Sequence, residues 1–228
     1  MWRFLITLLL IGCSGTTPQW WGCDFLGAPY VESPLGEETP PDSDPLIRFD
    51  AFDCTTFVET VLANGNQEQL NQIRYKGGKI GFLNRNHFIE SDWLLNNSER
   101  VENVSRNYAP TAIRNLIIDK KAWLKKVHNI DSDIEPIEIN LEYIPYEHAE
   151  NIIVNKPMIV LFITDNPEIR GKIGTDLAVV HMGFIMPDGI LRHASSARGR
   201  VVDIPFVEYT NARRQNKNNI GIALVEIK

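Results

Sequence analysis

The residues best equipped for chemistry in this chain are one cysteine and two histidines. Cys54 lies in Phe52-Asp53-Cys54-Thr55-Thr56-Phe57-Val58-Glu59-Thr60-Val61-Leu62-Ala63-Asn64-Gly65. Asp53 is a good N-cap. Phe57, Val58, Val61 and Leu62 recur at helical spacing and Gly65 is a stop, so the spacing predicts a helix over 54–64. Cys54 then falls in the first turn, where backbone N–H groups and the helix dipole favour an anion. The thiol is therefore expected to ionise more easily than a free cysteine, and the thiolate is the nucleophile. A lone cysteine is more often a small core residue, so its context decides.

His181 supplies part of that context. It sits in Asp176-Leu177-Ala178-Val179-Val180-His181-Met182-Gly183-Phe184-Ile185-Met186, a run apolar on both faces, as in a buried central strand. Pro187-Asp188-Gly189 turns the chain, and Ile190-Leu191-Arg192-His193-Ala194 follows. So short a connection predicts an antiparallel hairpin with neighbouring strands. A buried imidazole without a partner costs roughly 1–3 kcal/mol; Cys54 and His193 are the candidates to partner His181. His181 would take the thiol proton, and His193 would orient its ring through the other nitrogen. Two unrelated core histidines are the plain alternative. A zinc site is disfavoured because no close ligand pair such as CxxC is present.

The elements that must position these residues follow in order. Helices are expected over 54–64, about 67–75 and, as a short piece, 146–153. A helix-like apolar and basic stretch covers 110–128. Strands are expected near 158–164, 178–186, 190–194, 201–204 and 220–227. Helices first and strands afterwards indicate an α+β layout with an antiparallel sheet and a nucleophile helix packed on it. Residues from about 66 to 140 read as a mainly helical insertion that walls the site. The chain has 228 residues, is 43% hydrophobic and 23% charged, and carries a net charge of −6, which suits one globular domain. That acidity argues against nucleic acid as a partner.

The N-terminus is set apart. One positive charge at Arg3 precedes the apolar run Phe4–Ile11 and then Gly12, the layout of a signal peptide over residues 1–12. The run is far shorter than the ~20 residues that span a bilayer. Leu10-Ile11-Gly12-Cys13 resembles a bacterial lipobox, which makes Cys13 the candidate lipidation site and 13–19 a tether ahead of a domain over 20–228. Ser14 after the cysteine resembles the outer-membrane sorting pattern, facing the periplasm. With Cys13 lipidated and Cys54 a thiol, Cys23 is expected to be buried and reduced.

Several segments together resemble one family. Gly27-Ala28-Pro29-Tyr30, Pro34-Leu35-Gly36-Glu37, the Phe52–Glu59 segment, Asn84-Arg85-Asn86-His87-Phe88 with Asp92-Trp93, His181-Met182-Gly183-Phe184 and His193-Ala194-Ser195-Ser196 are similar to NlpC-type papain-like cell-wall hydrolases. Within these they resemble the N-acetylmuramoyl-L-alanine amidase-like branch. The turn before the 158–164 strand departs from the usual Gly-Asp. The resemblance implies Cys54 as nucleophile, His181 as base and His193 as orienter. It places Tyr30 beside the nucleophile, with Tyr30 and Asp53 as candidates for binding oxyanion or substrate. It makes Arg85, His87 and Trp93 candidates for shaping the groove, although for Trp93 a core position is favoured. It implies hydrolysis of the bond between muramic acid and L-alanine in peptidoglycan or its fragments, with no metal or cofactor. Cleavage after D-glutamate in the stem peptide, or wall binding without catalysis, are the alternatives.

Overall fold

The computed structural model describes residues 22–228. The expected signal peptide, the tether and Cys13 therefore lie outside the described residues. Among the described residues no helix is long and apolar enough to cross a membrane.

The architecture is α+β around one antiparallel sheet of eight strands, β1 (Val101–Asn103), β2 (Ala112–Ile118), β3 (Ile137–Pro145), β4 (Met158–Thr164), β5 (Val179–Ile185), β6 (Ile190–Ser195), β7 (Arg200–Pro205) and β8 (Asn219–Ile227). Their order is β2-β3-β8-β4-β5-β6-β7, with β1 also paired to β8. The helices are α1 (Cys54–Leu62), α2 (Gln67–Arg74), the short α3 (Leu94–Asn96), α4 (Lys120–His128), α5 (Glu168–Ile173) and α6 (Phe206–Arg213).

β4 shows why its sequence carries no alternation. Ile159, Leu161 and Ile163 join one core with Phe57, Val58 and Val61 of α1. Met158, Val160 and Phe162 join a second core on the opposite face with Phe206 of α6. A strand covered on both faces is apolar at every position. The β5–β6 hairpin forms as expected, pairing Phe184 with Arg192 and Ile185 with Leu191. Gly183 permits a tight approach here, because a Cβ would stand 2.8 Å from the Arg192 carbonyl oxygen and 2.8 Å from the His193 Cβ.

Three expectations change. The 110–128 stretch is β2 followed by α4, with Asp119 as the break; its side chain accepts from the Ala122 N–H at 2.8 Å. The 66–140 region is thus not a separate helical insertion, since β1, β2 and the start of β3 lie in it beside its helices and join the main sheet. The piece at 146–153 shrinks to a single 3-10 turn, Tyr146–His148.

Candidate active site

Cys54 opens α1, as expected. Asp53 caps the helix: its carboxylate accepts from the Thr56 N–H at 2.7 Å, and the Thr56 hydroxyl accepts from the Asp53 N–H at 3.0 Å. This reciprocal pairing fixes the first turn. Asp53 also accepts from the Ser33 N–H at 3.2 Å, which ties the upstream loop to the helix start. The Cys54 sulfur lies 3.9 Å from the Thr55 hydroxyl and accepts from the Met182 backbone N–H, next in chain to His181.

The thiol is not acidic. Burial, and then the charge of Asp53, push Cys54 up to about 11. The dipole of a short helix does not offset desolvation of the thiolate plus a carboxylate one residue away. The sulfur is therefore a neutral thiol at rest. Its alkylation by iodoacetamide should accelerate by about tenfold per pH unit between pH 7 and 10. A rate independent of pH across that range would show a preformed thiolate instead.

His181 on β5 and His193 on β6 are joined directly, His181 Nε2 to His193 Nδ1, at 2.7 Å. Burial, followed by the neighbouring His193, holds His181 well below its ordinary value. Burial also lowers His193, to about 4, against an opposing pull from Asp203. Both rings are neutral at pH 7. A neutral His181 that donates from Nε2 carries its lone pair on Nδ1, the tautomer a base requires. No hydrogen bond joins Cys54 to His181: Nε2 is spent on His193, and the ring packs on Phe162 at 5.5 Å. Catalytic hydrogen bonds are commonly long until substrate arrives.

Tyr30 lies beside the start of α1 through a bridge to Phe52. Burial, then the charges of Cys54 and Asp53, raise it to about 12, so its hydroxyl remains a donor. Arg85 and His87 line a small cavity with Ser33, Asp53 and Thr55, next to the start of α1. Arg85 is held there by Glu37 at 2.7 and 2.6 Å and by Asp42 at 2.8 Å. His87 Nε2 meets the Phe82 carbonyl at 2.8 Å, and its ring packs on Trp123 at 4.6 Å. Trp93 is fully buried and donates to Glu59 at 3.1 Å. It is a core residue, the position favoured for it, and not a wall of the groove.

Cys23 also departs from expectation. It is half-buried and disulfide-bonded rather than a buried reduced thiol, while Cys54 is free. Spacing alone gives no sign of the groups around Glu59 and Arg213, because their partners lie on other elements of the chain. Among the described residues no cluster of His, Cys, Asp and Glu could hold a metal ion.

Fold and site together define an α+β protein with a thiol at a helix start beside a hydrogen-bonded imidazole pair. The chain belongs to the AmiA-like family, described as N-acetylmuramoyl-L-alanine amidase-like, whose model matches residues 21–220. It is similar to a protein from Legionella pneumophila assigned to a family of unknown function, with 27% identity, 92% of this chain and 87% of that one covered, and a TM-score of 0.81. It is also similar to an N-acetylmuramoyl-L-alanine amidase from Bacteroides uniformis, with 25% identity, 94% and 100% coverage and a TM-score of 0.70. A third similar structure, from Bacteroides fragilis, carries the name putative xylanase, with 26% identity, 90% and 99% coverage and a TM-score of 0.68. No curated protein matches the chain.

Proposed function

We propose that this protein is a cysteine amidase of the NlpC-type, papain-like kind that cuts peptidoglycan or muropeptide fragments at the N-acetylmuramoyl–L-alanine bond. The observation that carries the reading is the His181–His193 hydrogen bond beside a helix-opening cysteine. Family membership and the name of the Bacteroides uniformis relative support the bond. A glycosidase reading has less support. Glycoside hydrolysis generally needs two free carboxylates across the scissile bond, whereas Asp53 is committed to the α1 cap and Glu59 to Arg74.

In this reading the Cys54 thiol passes its proton to His181 Nδ1 as sulfur bonds to the carbonyl carbon. The oxyanion meets the Cys54 backbone N–H, which has no intrahelical acceptor at the first helical position, and the Tyr30 hydroxyl. His181 then returns the proton to the amine nitrogen as the C–N bond breaks. Water, deprotonated by His181, releases the acyl group as a carboxylic acid and restores the thiol. His193 keeps His181 in the required tautomer. No step calls for a metal or cofactor.

Digestion of defined muropeptides, read by mass spectrometry, tests the bond. Free peptides beginning with L-alanine are expected from the wild type and none from Cys54→Ala. Products ending in D-glutamate would replace this reading with an endopeptidase, and no cleavage would leave a wall-binding protein.

The location is part of the proposal. The signal-like start and Leu10-Ile11-Gly12-Cys13 support export and a lipid anchor on Cys13, facing the periplasm from the outer membrane; two acyl chains already hold a protein stably. The Cys23 disulfide supports an oxidising compartment. A thioether on Cys13 would take that sulfur out of disulfide chemistry, so the lipidated and unlipidated forms of Cys13 are distinct states. The intact mass of the mature protein separates these states: a diacylglyceryl increment on Cys13, lost together with membrane partitioning in Cys13→Ala, is expected, and its absence sinks the anchor.

A further inference from the structure

Behind the histidine pair lies a cation that the proposed chemistry does not use. Tyr209 and Arg213 stand one turn apart on α6. The Tyr209 ring lies 5.0 Å from His193, 5.9 Å from His181 and 4.9 Å from Phe162. The Arg213 guanidinium carbon is 5.8 Å from the Phe162 centroid and 6.0 Å from that of Tyr209. Two aromatic rings therefore separate the guanidinium from the two imidazoles, and both rings touch each side. An arginine held this way rests on the electron-rich faces of the rings.

Arg213 makes no ion pair among the described residues. Its NH2 group donates to the Asn219 Oδ1 at 3.3 Å, and its Nε is buried without an acceptor. Asn219 in turn donates to the Arg213 carbonyl at 2.8 Å, which anchors the end of α6 to β8. Arg213 is half-buried, and no carboxylate among the described residues meets its charge there. The far nitrogen of His193, Nε2, is also buried with no partner, and His193 is 1% exposed.

We propose that Arg213 is a positioning residue for this site: through the Phe162 and Tyr209 rings its charge denies the histidine pair a second proton, so that His181 remains a proton acceptor in acid. The assignment rests on the amidase reading only for its use in catalysis. The groups that face the pair are few. Asp203 on β7 opposes Arg213, but it is bound to Arg192 at 2.8 and 2.7 Å. Tyr209, with Tyr146 from the turn before β4, faces the same guanidinium, and both phenols are neutral at pH 7. Cys54 on α1 is a neutral thiol. Burial lowers both imidazoles first, and Arg213 is the charge left to add to that lowering.

The test is an NMR titration of the imidazoles in the full mature chain, comparing wild type with Arg213→Met, Arg213→Lys and Asn219→Asp. His181 and His193 share a hydrogen bond, so the midpoints read are those of the pair. Arg213→Met should raise them by about one pH unit, as expected for loss of a charge two side-chain layers away. Asn219→Asp, which sets a carboxylate beside the guanidinium, should raise them by less, and Arg213→Lys should leave them in place. His87 and His128, packed at Trp123, are internal controls. Midpoints unchanged in folded Arg213→Met overturn the proposal; where that variant does not fold, unchanged midpoints in Asn219→Asp overturn it. The acid limb of kcat/KM on muropeptides should move with the midpoints. A wild type that hydrolyses nothing while its midpoints shift as described would refute the amidase reading and leave the role of Arg213 intact.

Discussion

Cys54→Ala is expected to lower muropeptide hydrolysis on the order of 10⁴-fold or more, with the fold unchanged. The reason lies in the geometry of α1. Asp53 and Thr56 close the capping box around the two residues between them, Cys54 and Thr55, so the helix start holds its position when the sulfur is removed. His181→Ala should cost a similar factor, and the double variant little more than either, because the two groups act as one unit. His193→Ala should retain more activity: the base is present, but nothing holds its Nε2, and the ring loses the tautomer defined by the 2.7 Å bond. Steady-state rates alongside circular dichroism check all four proteins. A Cys54→Ala protein that still turns over at more than a tenth of the wild-type rate would remove sulfur from the mechanism.

The site differs from what the nucleophile motif suggests in one physical respect. Position at a helix start lowers a thiol only where the thiolate keeps some hydration or a cation nearby. Here the sulfur is desolvated and the nearest charge is the cap itself, Asp53. The same carboxylate that orders the helix opposes ionisation of the residue it orders. Both imidazoles, neutral in the resting state, add no positive charge to correct this. In the proposed mechanism, proton transfer and attack are then concerted with substrate binding rather than preceding it.

What the sequence revealed follows from the range of the forces involved. β4 was legible over 158–164 to the residue, because burial on both faces leaves an uninterrupted apolar run. The hairpin at 179–195 was legible from a turn signal between two apolar segments, and with it the adjacency of His181 and His193. β2 was misread because Ile113, Leu116 and Ile117 fall at helical spacing by coincidence. Pairing with β3 across the whole of β2 overrides that local pattern. Charge partners far apart in sequence leave no spacing signal at all. Arg85 meets Glu37 and Asp42 across more than forty positions, and Arg213 faces the histidines across the rings of Tyr209 on its own helix and Phe162 on β4.

Glu59 shows how such a remote contact bears on the site. It lies on α1 and is buried, accepting from Arg74 at 2.7 Å and from Trp93 at 3.1 Å. Arg74, on α2, also donates to the Leu35 carbonyl at 3.3 Å. Burial raises the Glu59 carboxyl above its ordinary value, and Arg74 offsets only part of that rise. Removing one member of a buried pair leaves the other charge uncompensated, which costs about 3–5 kcal/mol. Glu59→Ala is therefore expected to lower the melting temperature by about 10 °C, at roughly 2–4 °C per kcal/mol for a chain of this size. Glu59→Gln keeps the shape and the Trp93 contact but should still lose much of that stability, because the guanidinium remains. The double change Glu59→Met with Arg74→Met should recover most of it, since matched apolar replacements of a buried pair are often neutral. Calorimetry on the three variants reads the outcome. A Glu59→Ala protein as stable as the wild type would mean that Arg74 finds water or another acceptor, and that α1 is held in place by its apolar face alone.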